Sequence, residues 1–241
     1  MPKIISVIKQ ENPDFLAIQE ANGFEKDNYK TLKELAAVLG YKYFAIALAP
    51  SGYHVASFSR YKFVAQIALT DKFRNAALQT VINQPYGKLA ICNTHLSPWT
   101  ESERIREIEI IEKAQKNYQY KIILGDINSL SPQDSFSDQQ ISKFNDYQRK
   151  KLMKDGRLCF DVISKLLKNG YLDAAWEKGA GDIKTVHKST QEKYAHSTLL
   201  RLDYVFVSKQ LKEFLHNAKV IVNPDTDQTS DHYPIMIELE K

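Results

Sequence analysis

The chain has 241 residues, of which 43% are hydrophobic and 26% charged, with 33 basic against 29 acidic side chains. That length buries a sizeable core, and the composition excludes a disordered or fibrous chain. The net charge of +4 permits a polyanionic partner without demanding one, and no run approaches the roughly 18 apolar residues of a membrane span.

Ile4, Ile5 and Ile8 share one face of a helix predicted over residues 3–10, which Asn12-Pro13 ends. FLAIQ (15–19) reads as a buried strand with Glu20 at its end. Leu32, Leu35, Ala36 and Leu39 define a helix over 29–39, stopped by Gly40. YKYFAIAL (41–48), HVASFS (54–59), FVAQIAL (63–69), ALQTVIN (77–83) and LAICNTH (89–95) read as strands. Asn83, Pro85 and Gly87 predict a hairpin between the last two.

Residues 101–116 form the clearest amphipathic helix, with Ile105, Ile108 and Ile111 on one side, and YKIILGD (120–126) is a short buried strand. Polar loop follows over 129–138, then helical patterns over 139–153 and 160–169, the second closed by Gly170. The polar stretch 177–198 reads as loop. LRLDYVFVS (200–208), AKVIV (218–222) and PIMIEL (234–239) read as strands. Many strands with helices interspersed, but not alternating with them, point to an α+β chain with two mixed sheets covered by helices, in one domain over 1–241.

Cys92 and Cys159 show no CxxC or Cys/His zinc spacing. The N-terminal MPKIISVIKQENPD has only a short apolar stretch, interrupted by Lys9, Gln10 and Glu11, unlike a secretory signal. A cytoplasmic, monomeric protein with inert thiols is the expectation.

Polar residues at the ends of apolar strands carry the chemistry, because a rigid sheet positions side chains better than loops do. Glu20 ends FLAIQ, and a solvated strand-end charge is its bland reading. His95 in NTHL taken alone reads as a satisfied strand histidine. In ILGDIN, strand alternation aims Asp126 and Asn128 at one point, while Gly125 permits close approach of a ligand; a simple turn competes with that reading. Asp203 interrupts LRLDYVFV and needs a partner, because an unpaired buried charge is costly. A histidine suits it, and Arg201, two residues earlier, is the plain structural alternative. Asp231-His232 precedes Tyr233-Pro234. The basic, aromatic-bearing stretch KFNDYQRKKLMK (143–154) suits a phosphate backbone or a solvated helix face equally.

In order and spacing, NPDFLAIQE, GYHVASFSR, NTHL, ILGDINS, RLDYVFVS and SDHYPI resemble the endonuclease/exonuclease/phosphatase (DNase I-like) superfamily over residues 4 to 239. The resemblance implies a four-layer α/β/β/α sandwich and a Mg²⁺-dependent phosphodiester hydrolase, with Mn²⁺ as the alternative ion. It implies Glu20 as the principal metal ligand, with Asp231 completing the metal and water network. Asp126 would orient or deprotonate the attacking water, with Asn128 assisting at the phosphate, and Asp203 would hold His232. His232 and His95 would contact the scissile phosphate, and Arg201 is placed with the substrate-binding residues. Nucleic acid is the favoured substrate. A small molecule or lipid head group is the second reading, and a catalytically silent binding module the third. The family pattern opens with a strand carrying an Asn of the metal–phosphate shell. Here the first helix starts at residue 1, so the expectation is a fold in which this first strand is missing.

Overall fold

The computed structural model describes residues 2–186 and 198–240. Six strands form the larger sheet: β4 (Phe63–Leu69), β5 (Ala76–Gln84), β6 (Gly87–His95), β7 (Tyr120–Asp126), β10 (Tyr171–Asp173) and β11 (Asp203–Ser208). Their order is β10-β11-β7-β6-β5-β4. The sheet is mixed, since β6 and β7 run parallel and the other neighbours antiparallel. Parallel neighbours need a crossover, and α3 (Glu101–Gln115) supplies it. That helix starts at a capping box in which Thr100 and Glu103 satisfy each other's backbone N–H groups. The predicted hairpin joins β5 to β6, with Gln84 opposite Gly87.

Four layers stack on one another. On one face of the large sheet, Ile108 and Ile111 of α3 and Val162, Ile163 and Leu166 of α6 (Asp161–Lys168) bury against Ala77, Cys92, Ile123 and Phe206. Each such Ile or Leu contributes about 1.5–3 kcal/mol on burial. The other face meets a second layer made of two pieces. One is the antiparallel sheet β1-β3-β2, from β1 (Phe15–Ile18), β2 (Tyr43–Ala47) and β3 (Val55–Ser59). The other is the hairpin of β12 (Leu215–Val220) and β13 (Ile235–Leu239). Outside these, α1 (Pro2–Glu11) and α2 (Lys26–Leu39) cover β1, β2 and β3 through Ile5, Leu32, Leu35 and Ala36. The expected four-layer α/β/β/α sandwich is the observed architecture.

Among the described residues, no strand pairs with both β1 and β13. A cavity of about 790 Å³ lies there, lined by Phe15, Ala17, Ile91, Ile122, Ile237 and Leu239. The residues of β1 and β13 are only partly buried despite their apolar character. The second layer therefore has the gap that the expected missing strand implies.

Several boundaries move. The pattern over 139–153 divides into α4 (Asp138–Ser142) and α5 (Asp146–Leu152), because Asn145 begins a new helix with its own capping box on Gln148. Strand β11 starts at Asp203 rather than at 200, and β12 runs over 215–220 rather than 218–222. The small hairpin of β8 (Met153–Lys154) and β9 (Arg157–Leu158), strand β10 and α7 (Ala174–Glu177) carry no periodic signal, being two to four residues long. Half of the loop expected over 177–198, residues 187–197, lies outside the described residues.

Gly125 serves a different purpose from the expected approach of a ligand. Its φ is +127°, and a Cβ there would lie 2.0 Å from the Thr94 carbonyl oxygen and 3.0 Å from the Gln19 amide nitrogen. The glycine lets β6 and the end of β1 close against β7 immediately before Asp126. Gly125→Ala should therefore destabilise the fold by about 3 kcal/mol, lowering Tm by roughly 6–12 °C. Thermal denaturation of the purified variant checks this, and a melting point within 2 °C or so of wild type would contradict it.

Candidate active site

The site forms where three neighbouring strands of the large sheet end at one level. His95 on β6 stands in register with Asp126 on β7, and Asp126 in register with Asp203 on β11. Neighbouring strands lie about 4.8 Å apart, so three polar side chains arise side by side from rigid backbone. His95 Nε2 is 3.4 Å from Asp126 Oδ2. Asp203 Oδ2 is 2.7 Å from His232 Nδ1, which brings the loop before β13 onto the row. The Asp203 backbone N–H donates to the Thr185 hydroxyl at 3.1 Å.

Glu20 enters from the second layer. It follows β1 in a left-handed conformation, with φ of 54°. The preceding Gln19 donates to the Asn93 side-chain oxygen at 2.7 Å. Asn93 is fully buried, and its Nδ2 reaches the carbonyls of Ile18 at 3.2 Å and Ala56 at 2.9 Å. One amide thus ties β6 to β1 and β3 and sets the distance of Glu20 from the row. Asp231 is exposed and neighbours His232.

Asn128 is close to Asp126, but not by strand alternation. Strand β7 ends at Asp126, and Asn128 has a left-handed φ of 56°. The Asp126 carboxylate accepts the Asn128 backbone N–H at 2.9 Å, and Asn128 Nδ2 donates to the Leu96 carbonyl at 3.0 Å. The turn and the approach to the site are one structure, in which a side chain bonds backbone two residues on.

Electrostatics separates the two histidines. Burial pushes the His95 ring below its ordinary pKa and outweighs the attraction of Asp126. His95 is therefore neutral near pH 7, and its buried Nδ1 has no hydrogen-bond partner among the described residues. Burial also opposes the His232 imidazolium, but Asp203, with Asp126 and Asp231, outweighs it and holds the pKa at about 10. Asp126 feels a comparable balance: burial raises it, while His95, His232, Lys151 and the Asn128 N–H more than offset that and keep it below its ordinary value. Glu20 is pushed up, first by partial burial of its carboxyl and then by repulsion from Asp126 and Asp231.

This donor set fits a hard divalent cation. Its acids offer only carboxylate oxygens, and repulsion from Asp126 and Asp231 adds to burial in raising Glu20. Mg²⁺ takes one or two carboxylates and keeps several waters, so it needs no closed protein cage. Among the described residues, the acids of the site do not form a closed group. The three ligand-type side chains whose atoms lie within 4.8 Å of one another are His216 on β12, Glu238 on β13 and Glu240 just beyond it.

Arg201 lies elsewhere than expected. It precedes β11, so strand alternation does not apply to it. Its guanidinium is 1% exposed, with Nη2 at 2.6 Å from Asp134 and Nη1 at 2.5 Å from Asp173. Neither the Asp203 pair nor an open phosphate site is what this geometry offers; Arg201 joins the loop after β7 to the end of β10. An aromatic rim borders the row, and of its rings only Tyr147 lies in the basic stretch 143–154 that the sequence marks. Tyr53 packs edge-on to His95 at 6.2 Å, Trp99 and Tyr147 meet at 6.2 Å, and Arg74 lies over Trp99. Aromatic content alone does not single these rings out; only the fold assembles them.

The chain matches the model of the Endonuclease/Exonuclease/phosphatase family over residues 2–232. Among solved structures, it is similar to an endonuclease/exonuclease/phosphatase family protein from Leptotrichia buccalis, with 20% identity, a TM-score of 0.69 and coverage of 99% of this chain and 92% of that one. An AP endonuclease from Archaeoglobus fulgidus is 18% identical, with a TM-score of 0.74 and coverage of 99% and 93%. A 3'-5' exonuclease from Neisseria meningitidis is 14% identical, with a TM-score of 0.68 and coverage of 100% and 94%. No curated protein matches the chain.

Removing Arg201 leaves the buried Asp173 charge without an ion-pair partner among the described residues and leaves Asp134 only Lys184, at 3.9 Å. Arg201→Leu should cost about 3–5 kcal/mol of stability. Denaturant unfolding measures it, and a loss below 1 kcal/mol or so would show that the network is dispensable.

Proposed function

We propose, from the premise that this chain belongs to the endonuclease/exonuclease/phosphatase family, whose members are hydrolases acting on phosphoester bonds, that it is a divalent-metal-dependent phosphodiester hydrolase acting on nucleic acid. The single observation that carries the reading is the row His95, Asp126 and Asp203 across three strand ends, with His232 held on Asp203. Glu20 and Asp231 would hold Mg²⁺, or Mn²⁺ in its place, which when bound supplies neutralisation of charge on the phosphoryl group and its leaving oxygen.

The residues of the chain divide the remaining work. Asp126 stays ionised and accepts a hydrogen bond from the attacking water, which aligns the water's lone pair with phosphorus. Its lowered pKa makes it a better orienter than proton acceptor. His232, kept as imidazolium by Asp203, donates to a phosphate oxygen where negative charge grows. His95 is neutral and presents an N–H or a lone pair according to tautomer, with Nδ1 unengaged among the described residues. Asn128 has a second amide proton besides the one given to Leu96, and that proton suits a phosphate oxygen. Arg201 takes no part, because Asp134 and Asp173 occupy it.

The aromatic rim supports nucleic acid as the substrate. Tyr53, Trp99 and Tyr147 are 44%, 38% and 42% exposed. Bases stack on such rings whatever the sequence, at about 1–3 kcal/mol each. The similar Neisseria protein is also known as a 3' phosphatase, bound to a product DNA hairpin.

The test is hydrolysis with Mg²⁺ or EDTA of abasic-site duplex DNA, plain duplex and single-stranded DNA, RNA, bis-p-nitrophenyl phosphate, an inositol polyphosphate and sphingomyelin. Turnover of a nucleic acid that EDTA stops is the expected result. Turnover of the inositol phosphate or sphingomyelin alone would move the substrate to a small or lipid phosphoester. No turnover of any member would overturn the hydrolase reading. Asp126→Asn and His232→Ala should each lower kcat at least about 100-fold while Tm moves little. Full activity in either would remove it from the site. Glu20→Gln should raise the Mg²⁺ concentration needed for half-maximal rate, and an unchanged titration would remove Glu20 from the metal.

A further inference from the structure

Lys151 lies at the C-terminal end of α5 and is 4% exposed. Lysine is almost never buried to that degree unless paired. Its carbonyl accepts the Arg104 guanidinium at 2.6 Å. Arg104 is itself fully buried and held by Glu101 at 2.8 Å and by the Ser97 carbonyl at 3.0 Å. The position of Lys151 is therefore set by the start of α3 and the end of β6, the elements that frame the site.

The side chain is less constrained. Among the described residues its ammonium makes no hydrogen bond, and it lies 5.6 Å from the centre of the Tyr147 ring, one helical turn earlier. Burial, with Arg104, lowers the pKa of this ammonium to about 8 against the pull of Asp126, Asp203 and Asp231. The Tyr147 hydroxyl donates to the Pro98 carbonyl at 3.4 Å, three residues past His95, so α5 borders the end of β6 where the row lies. A buried ammonium with three unspent protons is costly. Anionic oxygens arriving at the site would supply what it lacks.

We propose that Lys151 is a substrate-contacting residue whose ammonium binds a non-bridging oxygen of the scissile phosphodiester, with Tyr147 forming the wall beside it. This rests on the phosphodiester hydrolase reading and deepens it. A phosphodiester entering among carboxylates meets repulsion, and the row itself offers only His232 as a fixed cation. Lys151 brings the second from outside the sheet. Ammonium suits this place, being a compact point charge for phosphate rather than a planar fork.

Lys151→Met keeps the stem and removes the charge, and Lys151→Gln serves if Met fails to fold. On the nucleic acid that wild type cleaves, kcat/KM should fall about 100-fold with Tm within a few degrees. Lys151→Arg should recover part of the loss. Binding of a fluorescein-labelled single-stranded oligonucleotide to Asp126→Asn protein, with and without Lys151→Met, should show a shallower dependence on KCl in the double variant. The difference in log–log slope should be about 0.7, one phosphate's share.

A residue that only braces α5 would lower Tm and leave that slope unchanged. An unchanged slope, or unchanged kcat/KM in Lys151→Met with wild type active, overturns the proposal alone. Wild type inactive on every nucleic acid overturns the hydrolase reading and this one with it.

Discussion

Repulsion among carboxylates is the constraint on which this structure turns. Burial first, and then repulsion from Asp126, Asp231 and Asp203, raises Glu20 above its ordinary pKa. Two like charges a few ångströms apart in a part-buried place are mutually costly, so each carboxylate needs a counter-charge or a donor. Asp203 has His232 and, at its backbone, Thr185. Asp126 has the Asn128 N–H and the nearby His95. Asp134 and Asp173, further back, share Arg201. Glu20 and Asp231 are the exposed acids of the four.

The scaffold makes that arrangement tolerable by fixing it before anything binds. Register across β6, β7 and β11 sets His95, Asp126 and Asp203 at one level, and a slip of one residue would turn each to the other face of the sheet. Gly125 allows the close contact of β6 and β7 just before the row, and Asn93 holds the second layer at the depth that brings Glu20 in. Apolar packing on both faces of the large sheet keeps this backbone rigid. The cost of assembling like charges is thus met during folding, and a polar site held in place loses no reorganisation energy when charge develops on a substrate.

Much of this was legible in the sequence, for physical reasons that differ by element. β7 and α3 were readable because apolar periodicity and caps are local signals. β10, β8 and β9 were not, being too short for any period to show. Asp203 stood out because a charge inside an apolar strand demands a partner, and the partner is the histidine. Arg201 misled because proximity in sequence says nothing about partners 67 or 28 positions away. Asn93 gave no local sign, and Lys151 stood out only as one cation of the basic stretch 143–154, since a tie between sheets and the burial of one lysine exist only once the layers are stacked. The gap beside β1 was anticipated from the resemblance alone; pattern within the chain does not reveal which strand edges will lack a neighbour.

Specificity then follows from where each part of the site is anchored. His95, Asp126 and Asp203 belong to strand ends, Glu20 follows β1, and Asp231 and His232 belong to the loop before β13. Tyr53, Trp99, Tyr147 and Lys151 belong to loops and to a seven-residue helix outside the sheet. Such segments accept insertion and substitution without disturbing the row. On the proposed reading, the strand-end residues would carry the reaction class, and α5 and the aromatic rim the choice of substrate; a shared fold by itself transfers neither.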